Sequence, residues 1–196
     1  MMSAHRQGPV RSEAARVAIL QATARLFAAR GYDHLTMEGI AGEAGVGKQT
    51  IYRWWPSKGA VVADCLLDGL LFPEQFALPN TGELREDLAT WLRNIFGVLE
   101  HPSGEMLMRS LIAAAAENAD VGLRLYDSLG TGSTLNARLH EAVSRAELEG
   151  DTPVEQVGDA LVGAVVMRAL SRLPTPAGLP EQLVDAVLGR SATLRP

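Results

Sequence analysis

The sequence predicts an all-α protein in which a small N-terminal helical domain precedes a larger helical one. Three observations carry this. Apolar residues recur at helical spacing along most of the chain, and no segment alternates convincingly as a strand would. Residues 36–58, TMEGIAGEAGVGKQTIYRWWPSK, read as two short helices joined by a tight turn. Charge is split: residues 1–60 carry eight Lys/Arg against four Asp/Glu, a net of +4, while residues 61–196 carry ten against nineteen, a net of −9. A small basic segment on a larger acidic body suits a nucleic-acid reader attached to something else.

The elements follow in order. Residues 1–11 read as an arm, with Arg6 and Arg11 able to reach a DNA backbone or minor groove. Helix 1 is expected over 12–29, with Ser12 as N-cap, Ile19, Leu20, Leu26 and Phe27 as its apolar positions, and Gly31 ending it. Helix 2 opens at Thr36, whose hydroxyl can accept a first-turn amide, and Glu38 adds charge where the helix dipole favours it. Ile40, Ala41 and Ala44 form its stripe. Gly45 can take the left-handed conformation that ends a helix, and Val46 plugs the corner. Gly47 then caps helix 3. There Lys48, Gln49, Tyr52 and Arg53 stand at i, i+1, i+4 and i+5 and share one face, while Ile51 and Trp55 share another.

Helix 4 is expected from its cap Ser57 to about residue 71, with a break at Pro73 and at 79–82. Beyond it, 83–99 places Leu84, Leu88, Leu92, Ile95 and Leu99 on one side. Further helices are expected over 104–117, 120–129, 132–148, 154–172 and 181–190. Residues 160–170 are apolar nearly all round and need covering on every side. Leu183, Val184, Val187 and Leu188 give the last helix its stripe.

Composition bounds the chemistry. Apolar residues make up 47% and aromatics 5%, enough for an aliphatic core. There is no 18-residue apolar run and no signal-peptide pattern, so a cytoplasmic protein without a membrane partner is expected. The single Cys65 excludes an internal disulfide, and a buried apolar role suits it better than redox sensing. His5, His34, His101 and His140 show no i, i+4 pairing, so no metal and no cofactor are expected. A nucleophile with a base, a carboxylate pair or a phosphate loop is not evident, which argues against an enzyme.

The face of helix 3 has the chemistry that a DNA major groove requires. Lys48 can donate to guanine O6 and N7, and Gln49 can pair with adenine N6 and N7. Arg53 suits either bases or phosphate. Thr36, Thr50, Tyr52 and Trp54 carry donors for phosphate oxygens, as does Lys58 at the N-terminus of helix 4. Trp55 reads as core.

The pattern Ile19-Leu20…Leu26-Phe27…Gly31-Tyr32, Thr36-Met37…Ile40-Ala41…Ala44-Gly45-Val46, Lys48…Thr50-Ile51-Tyr52…Trp55-Pro56-Ser57-Lys58 resembles the tetracycline-repressor (TetR) family of bacterial transcriptional regulators. It covers about a third of the chain. Gly47 stands where Ser is frequent in that family, Gln49 where Gly is frequent, and Gly59-Ala60 where acidic and polar residues are commoner. The resemblance implies an N-terminal helix-turn-helix domain (1–57) that binds double-stranded operator DNA, and a C-terminal ligand-binding and dimerisation domain (58–196). It implies a homodimer through the last two helices and a repressor released by a small-molecule effector. Trp91, Phe96, Met106, Met108, Leu111, Tyr126 and Met167 are candidates to line an effector cavity, and plain core is the alternative for each. A structural DNA-binding protein without an effector is the competing reading.

Overall fold

The structure, a computed structural model, describes residues 9–71, 77–129 and 134–189. Among these residues there are ten helices and no strand. None of the helices is long and apolar enough to cross a membrane. Internal contacts divide the chain into two compact units, Met1–Leu71 and Phe72–Pro196. Arg6, His5 and Pro73 lie outside the described residues.

The first unit contains α1 (Pro9–Arg30), α2 (Met37–Ala44), α3 (Lys48–Tyr52) and α4 (Lys58–Leu67). Ser12 does not cap α1 as expected. The helix begins at Pro9 and runs through it, a start that suits proline, which has no N–H to leave unpaired. Thr36 caps α2 by accepting from the Gly39 amide at 3.0 Å. Gly45 takes φ 66°, and the bonds Gly45 N–H to Gly42 O and Val46 N–H to Ala41 O close a Schellman end. Ser57 caps α4 through the Ala60 amide. That helix stops at Leu67, four residues earlier than expected. Gly69 is left-handed (φ 68°), and Gly69 N–H to Leu66 O and Leu70 N–H to Cys65 O repeat the Schellman pattern. The unit's core joins Ile19, Leu20 and Phe27 of α1 to Ile40, Ile51, Trp55, Val61, Val62 and Cys65.

The second unit contains α5 (Leu84–Glu100), α6 (Pro102–Glu117), α7 (Ala119–Leu129), α8 (Thr134–Ser144), α9 (Val154–Ser171) and α10 (Leu179–Leu188). Helix α5 is central, packing against α6, α8, α9 and α10. Its Leu88, Trp91, Leu92, Ile95 and Phe96 join Leu139 of α8, Leu161 and Val165 of α9 and Val184 of α10 in one core. Leu183, Val187 and Leu188 are partly buried and pack on that core too, so the stripe of α10 faces the core of its own chain. Helix α9 has two sides. Leu161, Val165 and Ala169 are buried, whereas Ala160, Gly163, Met167 and Leu170 are exposed.

A buried ion cluster fixes the start of α5. Arg138 and Asp87 are 3% and 1% exposed. Arg138 donates from Nε and Nη2 to Asp87 Oδ2 at 3.1 and 3.0 Å, and from Nη1 and Nη2 to the two oxygens of Glu147 at 3.1 and 2.9 Å. Asp87 also accepts from the Thr81 amide and hydroxyl. Glu147 accepts the Leu84 amide at 3.0 Å, capping α5 from a distant part of the chain. Burial pushes the Asp87 carboxyl up, but Thr81 and Arg138 together outweigh it and hold it below the ordinary carboxylate value.

Glu147 reaches this cluster because α8 ends early. The helix stops at Ser144 rather than near 148, where Ala146 takes φ 58°. Ala146 N–H to Val143 O and Glu147 N–H to Ala142 O form a Schellman end with alanine in glycine's usual place. The left-handed region costs an L-residue about 1–2 kcal/mol. Ala146→Gly is therefore expected to stabilise the protein by about 1 kcal/mol, read as a higher midpoint in denaturant unfolding. An unchanged or lower midpoint would contradict this account of the turn.

Candidate nucleic-acid interface

Helix α3 has five residues, and its orientation is set by two anchors. Ile51 is fully buried and Trp55 is 1% exposed. The Trp55 indole donates to Asp64 Oδ2 of α4 at 2.8 Å, inside the core. The backbone continues to turn beyond Tyr52, with Arg53 N–H bonded to Gln49 O and both Trp54 and Trp55 N–H groups bonded to Ile51 O. Opposite the anchors, Lys48, Gln49, Tyr52 and Arg53 are exposed together. Gly47 caps the helix in an extended conformation, and Thr50 is half-buried. Trp54 is exposed, its ring 6.1 Å from that of Trp55 and tilted to it.

The cations are held by partners. Lys48 donates to Glu38, and its ammonium lies 5.6 Å from the centre of the Tyr52 ring. That bond raises the lysine above its ordinary value and lowers the glutamate. Lys58 is half-buried. Its Nζ donates to the Tyr32 carbonyl at 3.0 Å and sits 4.0 Å over the Tyr32 ring. Burial draws its ammonium below the ordinary lysine value, against an opposing pull from Asp33. A Lys58 fixed this way points from the start of α4 instead of sweeping freely through water. Thr36 is exposed with its hydroxyl oxygen engaged in capping, which leaves the hydroxyl proton to donate. For Arg11, only its place in α1 is described.

Three participants escaped the sequence reading. Glu38 reads there only as a charge near a helix start, because its partner is ten residues away. Tyr32 and Asp64 carry no local signal of their bonds to Lys58 and Trp55. Cys65 is fully buried and donates to the Leu20 carbonyl. Burial pushes its thiol up to about 12, so it holds no thiolate at neutral pH.

In the second unit, Trp91, Phe96 and Leu111 are buried and Met106 and Met108 half-buried, with Met108 packed on the α5 core. Tyr126 on α7 and Met167 on α9 are exposed. None of the seven lines the cleft of about 260 Å³ between Leu99, Glu105, Arg168 and Arg172, or the larger grooves beside Gly97–Gly104 and Gly82–Leu84.

A short third helix, anchored on one side and offering two cations, an amide and a phenol on the other, defines a helix-turn-helix transcriptional regulator. The chain belongs to the TetR family. Residues 19–65 match the family described as bacterial regulatory proteins, tetR family, and residues 78–187 match the tetracyclin repressor-like C-terminal domain. The HTH-type transcriptional regulator Rv1556 of Mycobacterium tuberculosis, itself uncharacterised, is 31% identical over 89% of this chain and 86% of its own. The likewise uncharacterised HTH-type regulator YdeS of Bacillus subtilis is 28% identical over 84% and 83%. Among solved structures, the TetR family transcription regulator SCO0332 superposes with a TM-score of 0.71 at 30% identity, covering 89% of this chain and 96% of that one.

Proposed function

We propose that the protein is a cytoplasmic repressor that binds a roughly palindromic operator as a homodimer and leaves it when a small, mainly apolar molecule binds the second unit. The observation that carries DNA contact is the exposed face Lys48, Gln49, Tyr52 and Arg53 on a helix anchored by Ile51 and Trp55. Lys48, Gln49 and Arg53 are the candidates for base edges. Thr36, Gly47, Thr50, Tyr52, Trp54 and Lys58 are the candidates for phosphate contacts. Lys48→Ala and Arg53→Ala are expected to weaken binding to a duplex selected by the wild-type protein roughly tenfold to a hundredfold. Lys58→Ala is expected to weaken all duplexes alike and to lower the salt slope by about one. Gel-shift titrations at several salt concentrations check this, and unchanged affinity in all three variants rules out α3 as the reader.

Dimerisation through the last two helices is supported by the outer side of α9, where Ala160, Gly163, Met167 and Leu170 leave an apolar stripe open. Met167 is 66% exposed, and a Cβ on Gly163 would meet nothing within 4 Å. Gln182 and Ala186, exposed on α10, would be that helix's share of the interface in this proposal. The stripe of α10 itself is spent on the protomer core, so Val187→Glu would test folding, not pairing. Gly163→Arg is the suitable variant, since the space in front of it is open and a two-fold contact would set one cation against another. Monomers are expected in light scattering, with the helical content of the wild type in circular dichroism and a lower melting temperature from the lost association. A full dimer places the interface elsewhere.

An apolar effector is supported by the apolar side chains of α5 and α6, where Trp91 and Phe96 share a core on which Met108 packs and Leu111 is buried. Met106, Tyr126 and Met167 are the outlying candidates. Such a molecule acts only through different affinities for the DNA-competent and DNA-incompetent states, so DNA must weaken its binding by the same factor. A thermal-shift screen of hydrophobic metabolites, with each hit titrated with and without the selected duplex, tests the coupling. Hits that bind equally in both titrations show no coupling.

A further inference from the structure

The ion pair between α2 and α3 occupies the cation best placed to read a base. Lys48 opens α3, and Glu38 stands in the first turn of α2. Their side chains are 48% and 64% exposed, so the pair is made in water and is weakly held. The other acid of α2, Glu43, is already engaged with Arg25 of α1 at 3.0 Å. Glu38 is therefore the acidic group of α2 aimed at the recognition face.

Resting on the assignment of α3 as the reading helix, we propose that Glu38 is a positioning residue, an internal competitor that keeps Lys48 occupied until DNA replaces its carboxylate and so holds down affinity for every duplex. On DNA of arbitrary sequence, Lys48 can exchange the carboxylate only for a phosphate. That trade is close to even, since one anion replaces another as the partner of the ammonium. On the cognate sequence Lys48 donates into a guanine edge while its neighbours make their own contacts in register. Giving up the carboxylate costs the same on either duplex, so the pair lowers affinity for both. A lysine already neutralised by Glu38 also displaces fewer counterions from arbitrary DNA than a free one.

The test uses the full-length protein and two labelled duplexes, one of random sequence and one enriched by the wild-type protein from a random pool. Fluorescence anisotropy is measured over a range of salt. Glu38→Gln keeps the side chain's shape and removes its charge, and the exposed position leaves the fold intact, checked by melting temperature. The variant is expected to bind both duplexes roughly twofold to fivefold more tightly. Its salt slope should be steeper by about one, and its ratio of enriched to random affinity unchanged. In the Lys48→Ala background, Glu38→Gln should give no further gain. Unchanged affinity and slope in Glu38→Gln overturn the proposal. So does a gain that persists without Lys48, because the carboxylate would then act on DNA directly. If Lys48→Ala alone changes nothing on the enriched duplex, the assignment of α3 fails, and that result is distinct from the other two.

Discussion

A helix of five residues has no stability of its own, because nucleating a turn costs more than so few hydrogen bonds return. Helix α3 therefore exists only as far as its neighbours hold it. Two side chains do the holding, Ile51 and Trp55, and the Trp55 indole is bonded to a buried acid of α4. Asp64 is 4% exposed, and an acid so placed needs a donor. The same bond satisfies Asp64, locks the tryptophan ring and fixes where α3 ends. What α3 turns outward inherits its position from that anchor. The polar face is unencumbered by packing duties because the apolar face carries all of them.

The second unit depends on a different kind of constraint. Apolar packing around α5 is abundant but not directional. The Arg138 cluster supplies direction, since its planar guanidinium meets two carboxylates in fixed geometry. Burying these charges gives little net stability in itself, because desolvation offsets most of the attraction. Removing one partner is a different matter, as it strands the others out of water. The cluster thus ties the turn at Thr81, the first amide of α5 and the end of α8 into one arrangement. The left-handed Ala146 belongs to this set, since it is the local cost of bringing Glu147 to Arg138.

Much of the first unit was legible from residue type, because its signals are local. Thr36, Gly45 and Ser57 each mark a helix end through chemistry that acts within four residues. The periodicity of α3 showed which of its sides is anchored. What escaped was non-local or atypical. Gly69 ends α4 early, yet Leu66-Leu67 and Leu70-Leu71 flank Asp68-Gly69, so the apolar spacing looks continuous. Ala146 adopts a conformation that alanine does not advertise. Asp87 and Arg138 are 51 residues apart, and no spacing rule joins them. The stripe of α10 was visible, but periodicity tells that a face is apolar, not whether its own chain or a second copy covers it. Helix α9 was read as needing cover on all sides, and within one chain only one side receives it.

The same limit applies to charge. Counting residues shows a basic first segment, which implies free cations awaiting an anion. The structure shows instead that Lys48 and Lys58 already have partners, one a carboxylate and the other a carbonyl and an aromatic face. These partners differ in what they ask of DNA. The Tyr32 contacts leave Lys58 its full charge and restrict only its direction, so they lower the entropy lost when a phosphate is bound. In the proposed reading the Glu38 contact offsets charge, so DNA must displace it before Lys48 contributes. One cation is then preset for an anion, and the other is held back by one. Net charge counts the two alike.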